Sequence, residues 1–500
     1  LPGCLPGALA CPQDQHLAKG GVVTSRLRRA ALLTLALLTV FTIGAGAAVA
    51  HLLPARLALW QIPRVAGHPL AAARPVLAVA GKPPGGPVTP GGLSARLSGT
   101  LGLPALGAHV GAIVANLSTG QVLFARDGSS PFAPASTAKL ATAVAALTVL
   151  GPAARLSTRV VTGTASSSSI ILVGGGDPTL AAGRPPATDY PQPATLASLA
   201  AKTARALHAR HRSSVRLGYD TSRYTGPLLP PSWPASYVTT GNVSPITSLE
   251  VDQGRLTVTG APQDADDPGN LRPRSLTPAA DAAAAFGSFL ARNGIRVLGP
   301  PRPAAALPGS VTIARVVSPP LAEIVQWMLI ESNNVIAENL ARQVAIATRM
   351  PASFSGAAAA VAAADRRLGV RGIHLVDGSG LSPDDRITPR ALVQLIALAA
   401  RRDNPRLRPV ITGLPVAGFA GTLAPGGSVF GAAGPPALGL VRAKTGNLNS
   451  VAALAGVAYA SNGQLLGFAF MADQVPKNGL IPAGGAIDEL ATELASCGCR

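Results

Sequence analysis

The order of apolar and polar positions divides the chain into unlike stretches. From Ala30 to Ala50 the residues are apolar apart from Thr34, Thr39 and Thr42, close to the ~20 residues needed to cross a bilayer as a helix. Arg26, Arg28 and Arg29 precede this run, and a positive flank predicts a cytoplasmic N-terminal side and an exported body. Ala48-Val49-Ala50 fits a signal-cleavage pattern, yet the run exceeds the ~7–15 apolar residues of a signal core. An uncleaved anchor is therefore preferred to a cleaved signal. Residues 1–29 read as a cytoplasmic tail, and those before Val22 or Val23 as an artefact of start-site choice. Residues 51–94, centred on Lys82-Pro83-Pro84-Gly85-Gly86-Pro87, predict a semi-extended Pro/Gly spacer, with order beginning near Ala95.

The body alternates strand and helix periods. Val110–Ala115 and Gln121–Arg126 flank Asn116-Leu117-Ser118-Thr119-Gly120, which predicts a β-hairpin. Ser136-Thr137-Ala138-Lys139 leads from a Pro-rich loop into an Ala/Leu-rich helix ending at Leu150. Residues 156–305 change texture. Short β-like runs (Ser169–Val173, Arg255–Thr259) and two helical segments (Ala194–Ala209, Pro278–Asn293) predict a β-containing insertion between the segments 95–155 and 306–500. Helical period returns at Pro320–Ile346 and Ala357–Leu368. Strands are predicted at Leu438–Thr445, Ser450–Ala460 and Gln464–Ala472, before a closing helix Gly485–Ala495. The class is α+β.

Composition narrows the function. Hydrophobic residues make up 48% and charged ones 13%, which excludes a largely disordered chain. The net charge of +19 admits an anionic membrane or wall polymer as neighbour. Nucleic acid is not expected: aromatics are 4%, no Lys/Arg run of five occurs, and no zinc-finger or helix-turn-helix spacing is present. The four cysteines lie at 4, 11, 497 and 499, so the body has no Cys-based metal site or catalytic thiol. Cys497-Gly498-Cys499 would close a small disulfide outside the cell or stay a mobile tail, the tail being the preferred reading. The histidines show no zinc-type pair, and no metal or cofactor is expected.

Three short motifs carry chemistry. In Ser136-x-x-Lys139 the two residues share one helix face, and the lysine becomes a base only if desolvation or a neighbouring cation lowers its pKa. Ser332-Asn333-Asn334 places a hydroxyl and an amide two residues apart, which reach inward together only from a loop or helix junction. Lys444-Thr445-Gly446 offers a cation and a hydroxyl for a substrate carboxylate, with a glycine that admits close approach. Each alone is weak.

In this chain order the three form the signature of β-lactamases and penicillin-binding proteins. With Gly174-Gly175-Gly176-Asp177-Pro178 and Asp377-Gly378-Ser379-Gly380-Leu381-Ser382, the chain resembles class C low-molecular-mass penicillin-binding proteins, the D-alanyl-D-alanine carboxypeptidases/endopeptidases, across roughly residues 95–500. About 200 residues separate Ser136 from Ser332, far more than a compact β-lactamase uses. The resemblance implies a transpeptidase-like domain, an antiparallel sheet flanked by helices, carrying a large insertion. It implies Ser136 as nucleophile, Lys139 as its base, Ser332 as proton relay, Asn334 orienting substrate and Lys139, and Lys444 lowering the pKa of Lys139. Thr445, Gly446 and Asn447 would bind substrate, the backbone N–H of Asn447 joining that of Ser136 at the oxyanion. The implied substrate is a peptidoglycan stem peptide ending in D-Ala-D-Ala, with β-lactams as covalent inhibitors. A β-lactamase and a catalytically silent wall-binding scaffold are the competing readings. Pro383 stands where the family often carries a basic residue. Gly174–Asp177 reads as a structural turn, because no Lys-Ser/Thr follows it, and Asp377–Gly380 as a tight turn near the cleft.

Overall fold

A computed structural model describes Thr39 and residues 86–498, apart from 163–167, 187–189, 257–271 and 426–434. The expected tail 1–29, the anchor 30–50 (Thr39 aside), most of the spacer and the end of Arg255–Thr259 lie outside the described residues. Among those described, no helix is long and apolar enough to cross a membrane. Order reaches further back than Ala95. Helix α1, Pro90–Leu101, starts inside the expected spacer, capped by the Thr89 side chain on Gly92 N. Its Leu93, Leu97 and Leu101 are buried at helical spacing, so the Pro/Gly signal there marks a helix start rather than a linker.

The first sheet is antiparallel. Its strands are β1 (Val110–Asn116), β2 (Val122–Arg126), β7 (Val441–Leu448), β8 (Val451–Tyr459) and β9 (Leu465–Ala472), ordered β7-β8-β9-β1-β2. Side chains alternate across it with the strand period of two. Ala453, Ala455, Val457, Ala469 and Met471 face one apolar core, while Ala452, Leu454, Ala458, Phe468 and Phe470 face another with α1 and α9, Leu480–Ser496. Both faces are covered, which is why β8 is buried along all but its last residue. At the end of α9, Cys497 is buried and disulfide-bonded, so it is packed structure rather than the expected free tail.

Helix α2, Lys139–Val149, is buried from Lys139 to Leu147. A helix apolar on all sides lies inside a domain, here against α5 (Leu321–Ile330), α6 (Asn334–Ala347), α7 (Phe354–Arg367) and α8 (Pro389–Ala400). The helical run expected at Pro320–Ile346 is two helices. The chain breaks at Glu331-Ser332-Asn333, where Ser332 takes φ +55° and Asn333 caps α6 by accepting from Ile336 N at 3.0 Å. An asparagine N-cap contributes about 1 kcal/mol, which favours restarting the helix there.

Between α2 and α5 the chain builds a second sheet. β3 (Ser157–Thr162) lies antiparallel between β4 (Ser169–Val173) and β6 (Thr312–Val317), and β5 (Ser214–Asp220) runs parallel to β4. The parallel step is made by α3, Leu196–His208, as parallel neighbours require a crossover. With α4, Pro278–Arg292, α3 encloses a separate core that includes Leu199, Leu207, Val215 and Phe286. Because β6 pairs with β3, this module reaches past the expected limit at 305. Gly174–Gly176 joins it to α6: a Cβ on Gly176, at φ +76°, would collide with the Gln343 amide and the Tyr224 hydroxyl.

Phe286 is fully buried. Phe286→Ala should lower stability by roughly 3–5 kcal/mol, read as a fall in the urea midpoint. A loss below about 1 kcal/mol would contradict an independent core under the second sheet.

Candidate active site

Ser136 sits in a short 3₁₀ turn, Ala135–Ala138, that runs into α2. The loop before it is held at two adjacent residues. Phe132 and Ile387 exchange backbone hydrogen bonds, and Ala133 N donates to Asp473 Oδ2 at 3.0 Å. Ala135 takes φ +46°, a left-handed conformation costly for a residue with a Cβ. Gly380 presses against the Ala135 carbonyl so closely that a Cβ there would land on it. The turn is thus fixed by its surroundings, with Ser136 left half-buried.

Lys139 is fully buried. Its Nζ lies 2.8 Å from Ser136 Oγ, 2.6 Å from Asn334 Oδ1 and 2.7 Å from the Ser379 carbonyl. Burial pulls its pKa down to about 7, opposed by the Asp377, Glu338 and Asp385 carboxyls. A neutral amine has two N–H donors and one lone pair. With the donors on Asn334 and Ser379, the lone pair faces the Ser136 hydroxyl, which is the arrangement a general base needs.

Asn334, the first residue of α6, is held by donating Nδ2 to the Asn242 carbonyl at 2.9 Å. Ser332 lies at the same helix junction but is not one of the three partners of Lys139. Lys444 is fully buried and donates to the Thr445 carbonyl at 2.9 Å. Burial, and then the charge of Lys139, hold its ammonium form well below the usual range. Desolvation therefore accounts for the lowering at Lys139, and like-charge repulsion is felt at Lys444.

The Lys444-Thr445-Gly446 motif lies within β7, not at a strand end. Gly446 and Asn447 pair with Ala453 and Ala452, and the turn follows at Asn449-Ser450. Glycine reads as a strand breaker in sequence, but here a Cβ on Gly446 would meet the Pro134 carbonyl and Thr137. That contact brings the edge strand against the Ser136 turn. Ala443 N donates away from β8, to Pro415 O, so by alternation the N–H groups of Thr445 and Asn447 also face the open edge. The Thr445 hydroxyl pairs with that of Thr422 at 2.8 Å. A groove of about 710 Å³ beside α7, lined by Phe354, Ala358 and His374 among others, contains none of these residues.

A family model described as D-Ala-D-Ala carboxypeptidase 3 (S13) matches residues 93–273 and 250–494. The chain belongs to the D-Ala-D-Ala carboxypeptidase 3 (S13) family. Carboxypeptidase DacB of Mycolicibacterium smegmatis is 37% identical over 412 residues, 82% of this chain and 85% of the relative. The solved penicillin binding protein 4 (dacB) of Haemophilus influenzae shares the fold, with TM-score 0.62 and 22% identity over 80% of this chain and 98% of its own. The same protein complexed with a β-lactam matches at TM-score 0.56 and 22% identity, covering 79% and 99% of the two chains. Membership of the S13 family makes the chain a carboxypeptidase, hence a hydrolase.

Sequence motifs pointed to Ser136, Lys139 and Asn334, which meet directly in this S13 member. They missed the Ser379 carbonyl and the Asn242 carbonyl, since a backbone acceptor leaves no mark in residue type. Gly380→Ala should cut acylation of Ser136 on the order of 100-fold, as displacements of about 1 Å do, with reduced thermal stability. Unchanged acylation and stability would contradict the packing of Gly380 on Ala135.

Proposed function

We propose that this carboxypeptidase works through an acyl-enzyme on Ser136 and acts on peptidoglycan stem peptides ending in D-Ala-D-Ala. The observation that carries the reading is the buried Lys139 amine, 2.8 Å from Ser136 Oγ with its other partners supplied by Asn334 and Ser379. Ser136 Oγ attacks the carbonyl carbon between the two D-alanines and its proton passes to Lys139 Nζ. The oxyanion is held by the N–H groups of Ser136 and Asn447. As the C–N bond breaks, Ser332 relays a proton to the leaving amine. Thr445 meets the terminal carboxylate, and Asn334 orients the substrate amide. Water then cleaves the ester and restores Ser136. No metal or cofactor enters these steps.

The work is exported. The positive flank before residues 30–50 and the net charge of +19 support a body on the outer face of the membrane, near an anionic wall. β-Lactams resemble the acyl donor and leave Ser136 blocked, as the β-lactam complex of the Haemophilus influenzae protein supports.

The test is labelling by fluorescent penicillin beside Ser136→Ala. A stable label lost in the variant is expected. The labelling rate should rise about tenfold per pH unit up to about 7, because only neutral Lys139 accepts the proton, and level off above it. No label with intact drug would support a silent scaffold, and rapid drug hydrolysis a β-lactamase. Either contradicts the proposal.

A further inference from the structure

Asp377 is buried and bonds to no residue of the Ser136, Ser332 or Lys444 motifs, yet it is the hub of the turn behind Lys139. Its Oδ1 accepts from Ser379 N at 3.0 Å and Gly380 N at 2.6 Å. Its Oδ2 accepts from Ser382 N and from Trp233 Nε1, each at 2.7 Å. The turn it folds presents the Ser379 carbonyl to Lys139 and sets Gly380 against Ala135. One carboxylate thereby shapes both the base and the nucleophile turn.

Trp233 comes from the irregular chain that leaves β5 of the second module. It is buried, with its ring edge-on to Phe354 at 5.1 Å. Val243, Ile246, Val335 and Leu381 complete that apolar cluster, and the Arg342 guanidinium lies over the far ring at 4.0 Å. The same chain supplies Asn242, whose carbonyl holds Asn334. Both restraints on Lys139 from beyond Ser136 therefore trace back to the segment after β5.

We propose that Asp377 is a positioning residue for Lys139, and that Trp233 couples the second module to the catalytic base through it. This rests on the acyl-enzyme reading above. Asp377 acts in two separable ways. Its hydrogen bonds aim the Ser379 carbonyl, which determines the orientation of Nζ. Its charge favours the ammonium form, opposing the burial that lowers the Lys139 pKa. The other groups facing this centre are Glu338 on α6, Asp385 on the following loop, Lys444 on β7 and Tyr237, whose phenol burial and Asp377 keep protonated to higher pH.

The experiment compares penicillin acylation rates across pH 5–9 for the full chain, Trp233→Phe, Asp377→Asn and Ser136→Ala. Trp233→Phe keeps the ring packing and removes one donor. Its plateau should fall on the order of 10-fold with the acid limb unmoved. Asp377→Asn keeps one acceptor oxygen but loses the charge. Its plateau should fall further, on the order of 10- to 100-fold, and its acid limb should move to lower pH. A merely structural role would lower the melting temperature without moving that limb. A wild-type plateau in Trp233→Phe, or an unmoved limb in Asp377→Asn, overturns the proposal. If Asp377→Asn does not fold, the Trp233→Phe plateau decides alone. Wild-type protein that shows no Ser136-dependent label defeats the acyl-enzyme reading instead, so the two failures are distinguishable.

Discussion

The burial of Lys139 is the constraint around which the rest of the molecule is arranged. An ammonium group without water is costly, and at this position burial brings the pKa down to about 7. Everything that makes α2 an interior helix serves that end: the alanines that let α6 and α7 approach, and the apolar core on both sides. A desolvated amine without fixed partners would be disordered. Asn334 and the Ser379 carbonyl take its two donors, and the remaining lone pair meets Ser136. The fold therefore both lowers the pKa of the amine and aims it at Ser136.

Other parts of the site follow from close backbone approach. Three glycines do the same physical job at different places: Gly380 against Ala135, Gly446 against Pro134 and Thr137, and Gly176 against Gln343 and Tyr224. Each brings one element within the radius of a methyl group of another. The first shapes the nucleophile turn, the second brings the edge strand to it, and the third docks the second module on α6. The Lys444-Thr445-Gly446 segment is useful because β7 is an edge strand with free N–H groups beside Ser136.

Much of this was legible from residue pattern. The hairpin at Val110–Arg126, strand Ser169–Val173, and the helices near 196–208 and 278–292 emerge from periodicity with ends within about two residues. Ser136, Lys139 and Asn334 were found from three motifs taken together in their chain order and the family resemblance they carry, and the structure brings Ser136 and Asn334 within hydrogen-bond distance of Lys139. Other features were hidden for specific reasons. β5 and β6 carry charged or glycine residues at positions that face solvent or another backbone, which blurs a short strand's alternation. Gly446 looked like a turn because glycine's use in close packing and its use in turns share one letter. The break at Ser332 is local in cause, a capping asparagine, yet its value lies in presenting Asn334 to a lysine 195 residues away in sequence. The segment Asp377–Gly380 was read as a tight turn near the cleft, but the contacts that its main-chain carbonyls make leave no mark in residue type.

The ionisation of Lys139 is the most direct test of the account. The chain has six lysines, few enough to follow individually by ¹³C NMR of protein labelled at lysine Cε, with Lys139→Arg and Lys444→Arg to assign the two buried ones. The account expects the Lys139 signal to titrate near pH 7 and the Lys444 signal well below the ordinary lysine range. A Lys139 signal that stays in its charged position up to pH 10 would contradict the account, because Ser136 would then face an ammonium ion rather than a base.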